Sequence, residues 1–150
     1  MTRKLFYWLP PFLWMGAIFI FSTDMFSAGH TGGVLEKLLR VFLPNLSAEQ
    51  FQTIHYLIRK LAHFTVYAVL SFLLVRAFRA GSILRWHRSW ALYAFFTVGL
   101  YALLDEYHQS FSKQRTGSIY DSLLDLSGGA FMLLVLWLLS LRGRGQDREP

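Results

Sequence analysis

Hydrophobic positions in this chain fall into four runs, at residues 5–22, 61–78, 90–109 and 122–141, with polar stretches between them. Each run approaches the roughly 20 residues that a tilted helix needs to cross the hydrocarbon of a bilayer. Lipid offers the backbone no hydrogen bonds, so segments of this kind are expected as helices and not as open sheets. The pattern predicts an all-α membrane protein, a four-transmembrane-helix bundle forming a single domain over residues 1–141. A disordered tail is expected at 142–150. Pro10 and Pro11 are expected to kink the first helix or delay its regular start.

The stretch between the first two runs has a different character. Residues 22–33 read as a loop. From Val34 to Leu43, Leu35, Leu38, Leu39 and Phe42 fall on one helical stripe, with Glu36, Lys37 and Arg40 elsewhere. Ser47 followed by Gln50 three residues later has the form of a capping box. One or two short amphipathic helices lying at the membrane interface are expected here, with an ordinary structured loop as the alternative.

Composition sharpens the picture. Hydrophobic residues make up 54% of 150 residues, more than one soluble core of this size hides. The formal charge of +6 raises the question of nucleic acid. A base-stacking groove interleaves its aromatics with Lys and Arg, whereas here the aromatics lie inside the apolar runs and the cations mark their ends. No nucleic-acid partner is expected; membrane lipids are. The tryptophans Trp8, Trp14, Trp86, Trp90 and Trp137 read as belt and packing residues. There is no cysteine, which excludes disulfides, thiolate metal sites and cysteine nucleophiles. Arg3 and Lys4 before an apolar run also suit a cleaved signal peptide. The absence of a small-x-small site after Phe21, and three further runs, favour a retained span.

With four crossings, Arg3, Lys4, Arg76, Arg79, Arg85, Arg88, Arg142, Arg144 and Arg148 share one side, and Lys37, Arg40, Arg59, Lys60, Lys113 and Arg115 the other. The Lys and Arg bias sets orientation, so both termini are expected on the cytoplasmic side of an inner-membrane-type bilayer. The extracytoplasmic side then gathers the unusual polar residues. Arg59, His63 and Tyr67 are spaced i, i+4, i+8 and share a helical face. Tyr101, Asp105 and His108 share another, beside Glu106 and Gln109, and Asp121 and Asp125 open the fourth run with Gly128 and Gly129 after them. Those glycines permit close helix approach. Arg115 falls in the short loop before the fourth run, and Ser22 and Asp24 close the first.

Ionisable groups beside hydrocarbon are costly unless paired, which makes this cluster the candidate site. Arg59 and Arg115 suit a bidentate grip on a phosphate or carboxylate. His63 or His108 beside a carboxylate suits proton transfer, and adjacent carboxylates suit a divalent cation. Plainer readings stand beside these: His63 as a satisfied interfacial histidine, Arg59-Lys60 as a snorkelling anchor, Asp121 as a helix cap. The run from Asp105 to Gln109 exceeds what a solvated helix end requires. No cofactor is called for and no metal ligand set is assigned.

Several of these residues carry a resemblance. Arg59-Lys60-Leu61-Ala62-His63-Phe64 with Tyr67, then Asp105-Glu106-Tyr107-His108-Gln109 with Phe111, Arg115, Asp121 and Gly128, resembles the VanZ-like family of bacterial membrane proteins. Ile20-Phe21-Ser22 fits as well. Two positions depart: Val66 stands where the family usually has an acidic residue, and Asp125 where it usually has asparagine. The resemblance implies a multi-pass envelope protein, and a link to glycopeptide resistance through the family's namesake. Two functions follow as expectations. The first is binding of a lipid-linked or anionic envelope component through Arg59, Lys60, Tyr67, Gln109, Arg115, Asp121 and Asp125. The second is a membrane-embedded hydrolase or transferase acting on a lipid-linked phosphate or carboxyl group, with His63, Asp105, Glu106 and His108 as acid–base residues. A transporter fits less well, because the charged residues of the cluster are confined to one membrane face.

Overall fold

α3, from Ala48 to Arg79, is the helix around which the others pack. The computed structural model describes residues 2–23, 28–83, 86–111 and 118–146, and among them it contains five helices and no strand. The others are α1 (Thr2–Phe21), α2 (Ala28–Phe42), α4 (Arg88–Gln109) and α5 (Ile119–Gln146). Ser47 starts α3 with a full capping box. Its hydroxyl accepts from the Gln50 N–H at 3.2 Å, and the Gln50 side chain accepts from the Ser47 N–H at 3.0 Å. Two orphan donors of the first turn are thereby satisfied. The helix ends where Ala80 and Gly81 turn left-handed, at φ 42° and 82°.

Several expectations are corrected. The capping box does not open a separate interfacial helix. No glycine or proline interrupts residues 48–79, so the cap and the second apolar run belong to one helix. At 1.5 Å per residue α3 is about 48 Å long, more than the ~30 Å thickness of a bilayer's hydrocarbon. The single amphipathic helix is α2, and it begins at Ala28, inside the stretch read as a loop. Gly32 sits within it against the His55 ring, where an added Cβ would make an ordinary contact at 3.5 Å, so α2 lies close to α3 there. Of the apolar stripe on α2, Leu35 and Leu39 are half-buried while Leu38 and Phe42 stay exposed. Arg40 is held by Glu36 at 2.7 Å.

Neither proline breaks or delays α1, which is helical from Thr2. α5 continues to Gln146, past the expected end at 141. Asp24, Lys113 and Arg115 lie outside the described residues, as do 147–150 of the expected tail.

Among the described residues two helices, not four, are long and apolar enough to cross a membrane: α3 and α5. In α1 the apolar stretch is the shorter Leu5–Phe21. In α4 tyrosines, Thr97 and Gly99 dilute the apolar character before Asp105 and Glu106 end it.

α3 and α5 make the most extensive contact, and glycine makes it possible. An added Cβ on Gly128 would lie 2.2 Å from the Phe64 carbonyl oxygen, and one on Gly129 would lie 2.8 Å from Val98 Cγ1. The core contains Ile18, Tyr67, Leu70, Leu74, Val75, Ala94, Val98 and Ala102. Two long-range hydrogen bonds tie α1 to it. The Trp14 indole donates to the Val66 carbonyl at 2.9 Å, and the Tyr101 hydroxyl donates to the Met15 carbonyl at 2.6 Å. The outward faces carry exposed Leu13, Phe12, Leu61, Phe96, Leu100, Phe131 and Leu134.

Candidate functional site

Three helices turn polar at the same end of the bundle, each along the stripe that faces inward. On α4 the buried Ala94, Val98 and Ala102 are followed by Asp105, Glu106 and Gln109, which are also buried. On α3 the core residues Leu74, Leu70 and Tyr67 give way to His63, Arg59 and His55, one turn apart. On α5, Gly129 and Gly128 are preceded by the buried Asp125 and Ser122. The opposite end has other chemistry: Trp8 packs edge-on against Phe78, and Arg76 lies over the Tyr7 ring.

His63 Nδ1 lies 3.2 Å from Asp125 Oδ1, and Asp125 is fully buried. Beside them, the Ser118 backbone N–H donates to Glu106 Oε2 at 2.6 Å. Gln109 Nε2 donates to Asp105 Oδ2 at 2.9 Å and to Ser22 Oγ at 3.3 Å, joining α4 to the end of α1. The Tyr67 hydroxyl is buried and has no hydrogen-bond partner among the described residues. On the outer rim Lys60 forms an ion pair with Asp121 and also lies over the Tyr56 ring. Four side chains expected to bind a ligand or do chemistry thus pair with one another: Lys60 with Asp121, and His63 with Asp125.

The remaining expected residues divide. Arg59 is half-buried on the wall of a cavity. His108 is stacked on Phe19 of α1, ring centroids 4.3 Å apart, with its Nδ1 buried and without a partner among the described residues. Asp121 is not the cap of α5. The Ser118 hydroxyl accepts from the Tyr120 N–H at 3.3 Å, and the Asp121 carboxylate turns to Lys60 instead.

The cavity has a volume of about 440 Å³ and opens among α1, α2 and α3. Ile18, Phe21, Leu35, Ile58, Ala62 and Val66 make most of its wall apolar. Its polar part is Ser22, His55, Arg59, His63, Tyr67 and Asp105. His55 was not foreseen. It stands one turn before Arg59 on the stripe that carries His63 and Tyr67, so extending that stripe backward would have found it. Ser118 was also missed, since its role depends on a backbone N–H that no side-chain pattern encodes.

The VanZ/LLP1 family model matches residues 7–140, nearly the whole chain. The chain belongs to the VanZ/LLP1 family. No curated protein and no solved structure matches it. In this VanZ/LLP1 protein the RK-x-x-H stretch of α3, the DE-x-H-Q stretch of α4 and the start of α5 meet at one end, around His63, Asp125 and Glu106. A histidine with a buried carboxylate behind one ring nitrogen is oriented for acid–base work or for ligation through the other.

Proposed function

We propose that this protein is embedded in the bacterial envelope membrane and binds an amphiphilic lipid with an anionic head in the cavity between α1, α2 and α3. The cavity itself carries the reading: its wall is mostly apolar, and Arg59, His55 and His63 line its polar part. Apolar walls with a few convergent polar groups are what small-molecule sites offer, and a guanidinium suits a phosphate or carboxylate. α2 contributes Leu35 to the wall, so an amphipathic helix at the interface covers the entrance for an acyl chain. In this reading α3 and α5 cross the bilayer, with α1 and α4 packed beside them and their exposed apolar faces in lipid. Sequestering such a lipid would change how glycopeptides reach the cell surface.

The test is lipid analysis of purified protein and of the producing cells. The wild type retains an anionic lipid through detergent exchange, and Ala62→Trp, which fills the cavity, and Arg59→Ala each reduce retention about tenfold or more, the scale of ~1.4 kcal/mol. Equal retention in all three overturns lipid binding. The His63–Asp125 pairing favours a second reading, in which the bound lipid is also hydrolysed or transferred. A lipid species that appears or disappears in cells with the wild type, and not with His63→Ala, decides for that enzyme.

The basic residues Arg76, Arg79 and Arg88 at the end opposite the cluster support an orientation with that end in the cytoplasm. The chain has no native cysteine, so single cysteines report cleanly. Phe111→Cys, exposed at the polar end, is expected to react with an impermeant thiol reagent in intact spheroplasts. Ile83→Cys, exposed at the other end, is expected to react only after lysis. The reverse pattern would put the cluster in the cytoplasm.

A further inference from the structure

We propose that His63, Glu106 and Asp125 form a binding site for a divalent transition-metal ion of the zinc type. The three residues come from three different helices, and one donor atom from each lies within 4.8 Å of the others. Two of the carboxylates each have one oxygen held and one left over. Glu106 Oε2 accepts from the Ser118 N–H, while Glu106 Oε1 is buried with no partner among the described residues. Asp125 Oδ1 meets His63, while Asp125 Oδ2 is likewise buried and unpartnered. Glu106 is 6% exposed and Asp125 0%, so water does not solvate these oxygens from bulk.

A buried acceptor without a donor is expensive, and buried charges in folded proteins are paired or coordinate metals. Lys60, the adjacent ammonium, is engaged by Asp121 on the rim. The His63 imidazole lies with the buried carboxylates of Glu106 and Asp125, and a third carboxylate, Asp105, is buried at the same end of the bundle. A dication balances the cluster and gives both free oxygens a partner.

Ligand chemistry narrows the class. One imidazole with two carboxylates suits zinc, manganese or ferrous iron, whereas magnesium and calcium prefer oxygen alone. Three protein ligands leave a coordination position open, as in zinc sites that bind a further group. His63 also lines the cavity, so that open position borders it. With bonds of about 2.1 Å, the edge of a tetrahedron is roughly 3.4 Å, so the donors close inward around the ion. The inference goes beyond lipid binding and does not depend on it.

The experiment uses the full chain in detergent, stripped with a chelator and titrated with cobalt(II) as the spectroscopic probe. We expect one equivalent of cobalt to bind with the visible absorption of a low-coordinate site, zinc to displace it, and magnesium in large excess to leave it in place. Glu106→Gln and Asp125→Asn keep side-chain shape, and each is expected to weaken binding about 100-fold. Glu36→Gln, in the surface pair on α2, is expected to bind as the wild type does. Circular dichroism of each metal-free variant shows that it is folded, and either folded variant suffices for the test. Absence of saturable binding, displacement by magnesium, or undiminished affinity in the folded Glu106→Gln or Asp125→Asn protein overturns the site. Lipid retention is read separately, so this failure is distinguishable from failure of the lipid reading.

Discussion

Replacing Gly128 with alanine is expected to destabilise the bundle by about 3 kcal/mol or more, the upper end of what overpacking a core costs. The new Cβ would lie 2.2 Å from the Phe64 carbonyl oxygen and 2.9 Å from its carbonyl carbon. Both are backbone atoms of α3, so no rotamer change relieves the contact and the helices must separate. Separation propagates to the site, because His63 precedes Phe64 and Asp125 lies one turn before Gly128. The neighbouring Gly129→Ala meets a different obstacle, the Val98 side chain at 2.8 Å, which a small shift accommodates at about 1 kcal/mol. Gly16→Ala has open space around its new methyl group and lies within α1, so it is expected to gain about 0.5–1 kcal/mol from helix propensity. Thermal unfolding of the three variants in detergent checks the ranking. A Gly128→Ala protein as stable as Gly129→Ala would mean that α3 and α5 are not held in this contact.

The glycine pair also shows what could be read without coordinates. Small residues inside an apolar run announce a close approach, and the polar ends of the runs announce a cluster where helices alternate. Those features depend only on spacing and transfer directly from sequence to structure. Pairing within the cluster did not transfer. Lys60 and His63 are both within reach of α5, where Asp121 and Asp125 are one turn apart. The rotation fixed by Gly128 decides that Lys60 takes Asp121 and His63 takes Asp125. His108 turns away from Asp105 for a related reason. At about 100° per residue, Gln109 stands some 40° from Asp105 on one side and His108 some 60° on the other, enough to turn it onto Phe19. The extent of α3 was hidden because a polar first half and an apolar second half look like two elements when judged by hydropathy. Only the lack of a breaker between Ser47 and Ala80 argued for one.

Asparagine in place of Asp125 is expected to stabilise the metal-free protein by about 1 kcal/mol, within the gain typical of relieving a strained functional site. Among the described residues Asp125 is the only carboxylate that is fully buried, and none of them partners one of its oxygens. A carboxylate in that position costs more to bury than its contact with His63 returns, since a half-satisfied buried network is worse than a neutral one. Asparagine keeps the acceptor that faces His63 and replaces the orphan oxygen with an amide donor, in a cluster that otherwise holds mostly acceptors. With zinc present the order is expected to reverse. A ligand at about 100 times its dissociation constant adds roughly 2.7 kcal/mol to the protein that binds it, and the asparagine variant has lost that gain. Thermal unfolding of both proteins, with chelator and with zinc, therefore gives curves that exchange rank. An Asp125→Asn protein that is less stable under both conditions would instead make Asp125 a structural member of a polar core, held in place by His63 and not kept for a ligand.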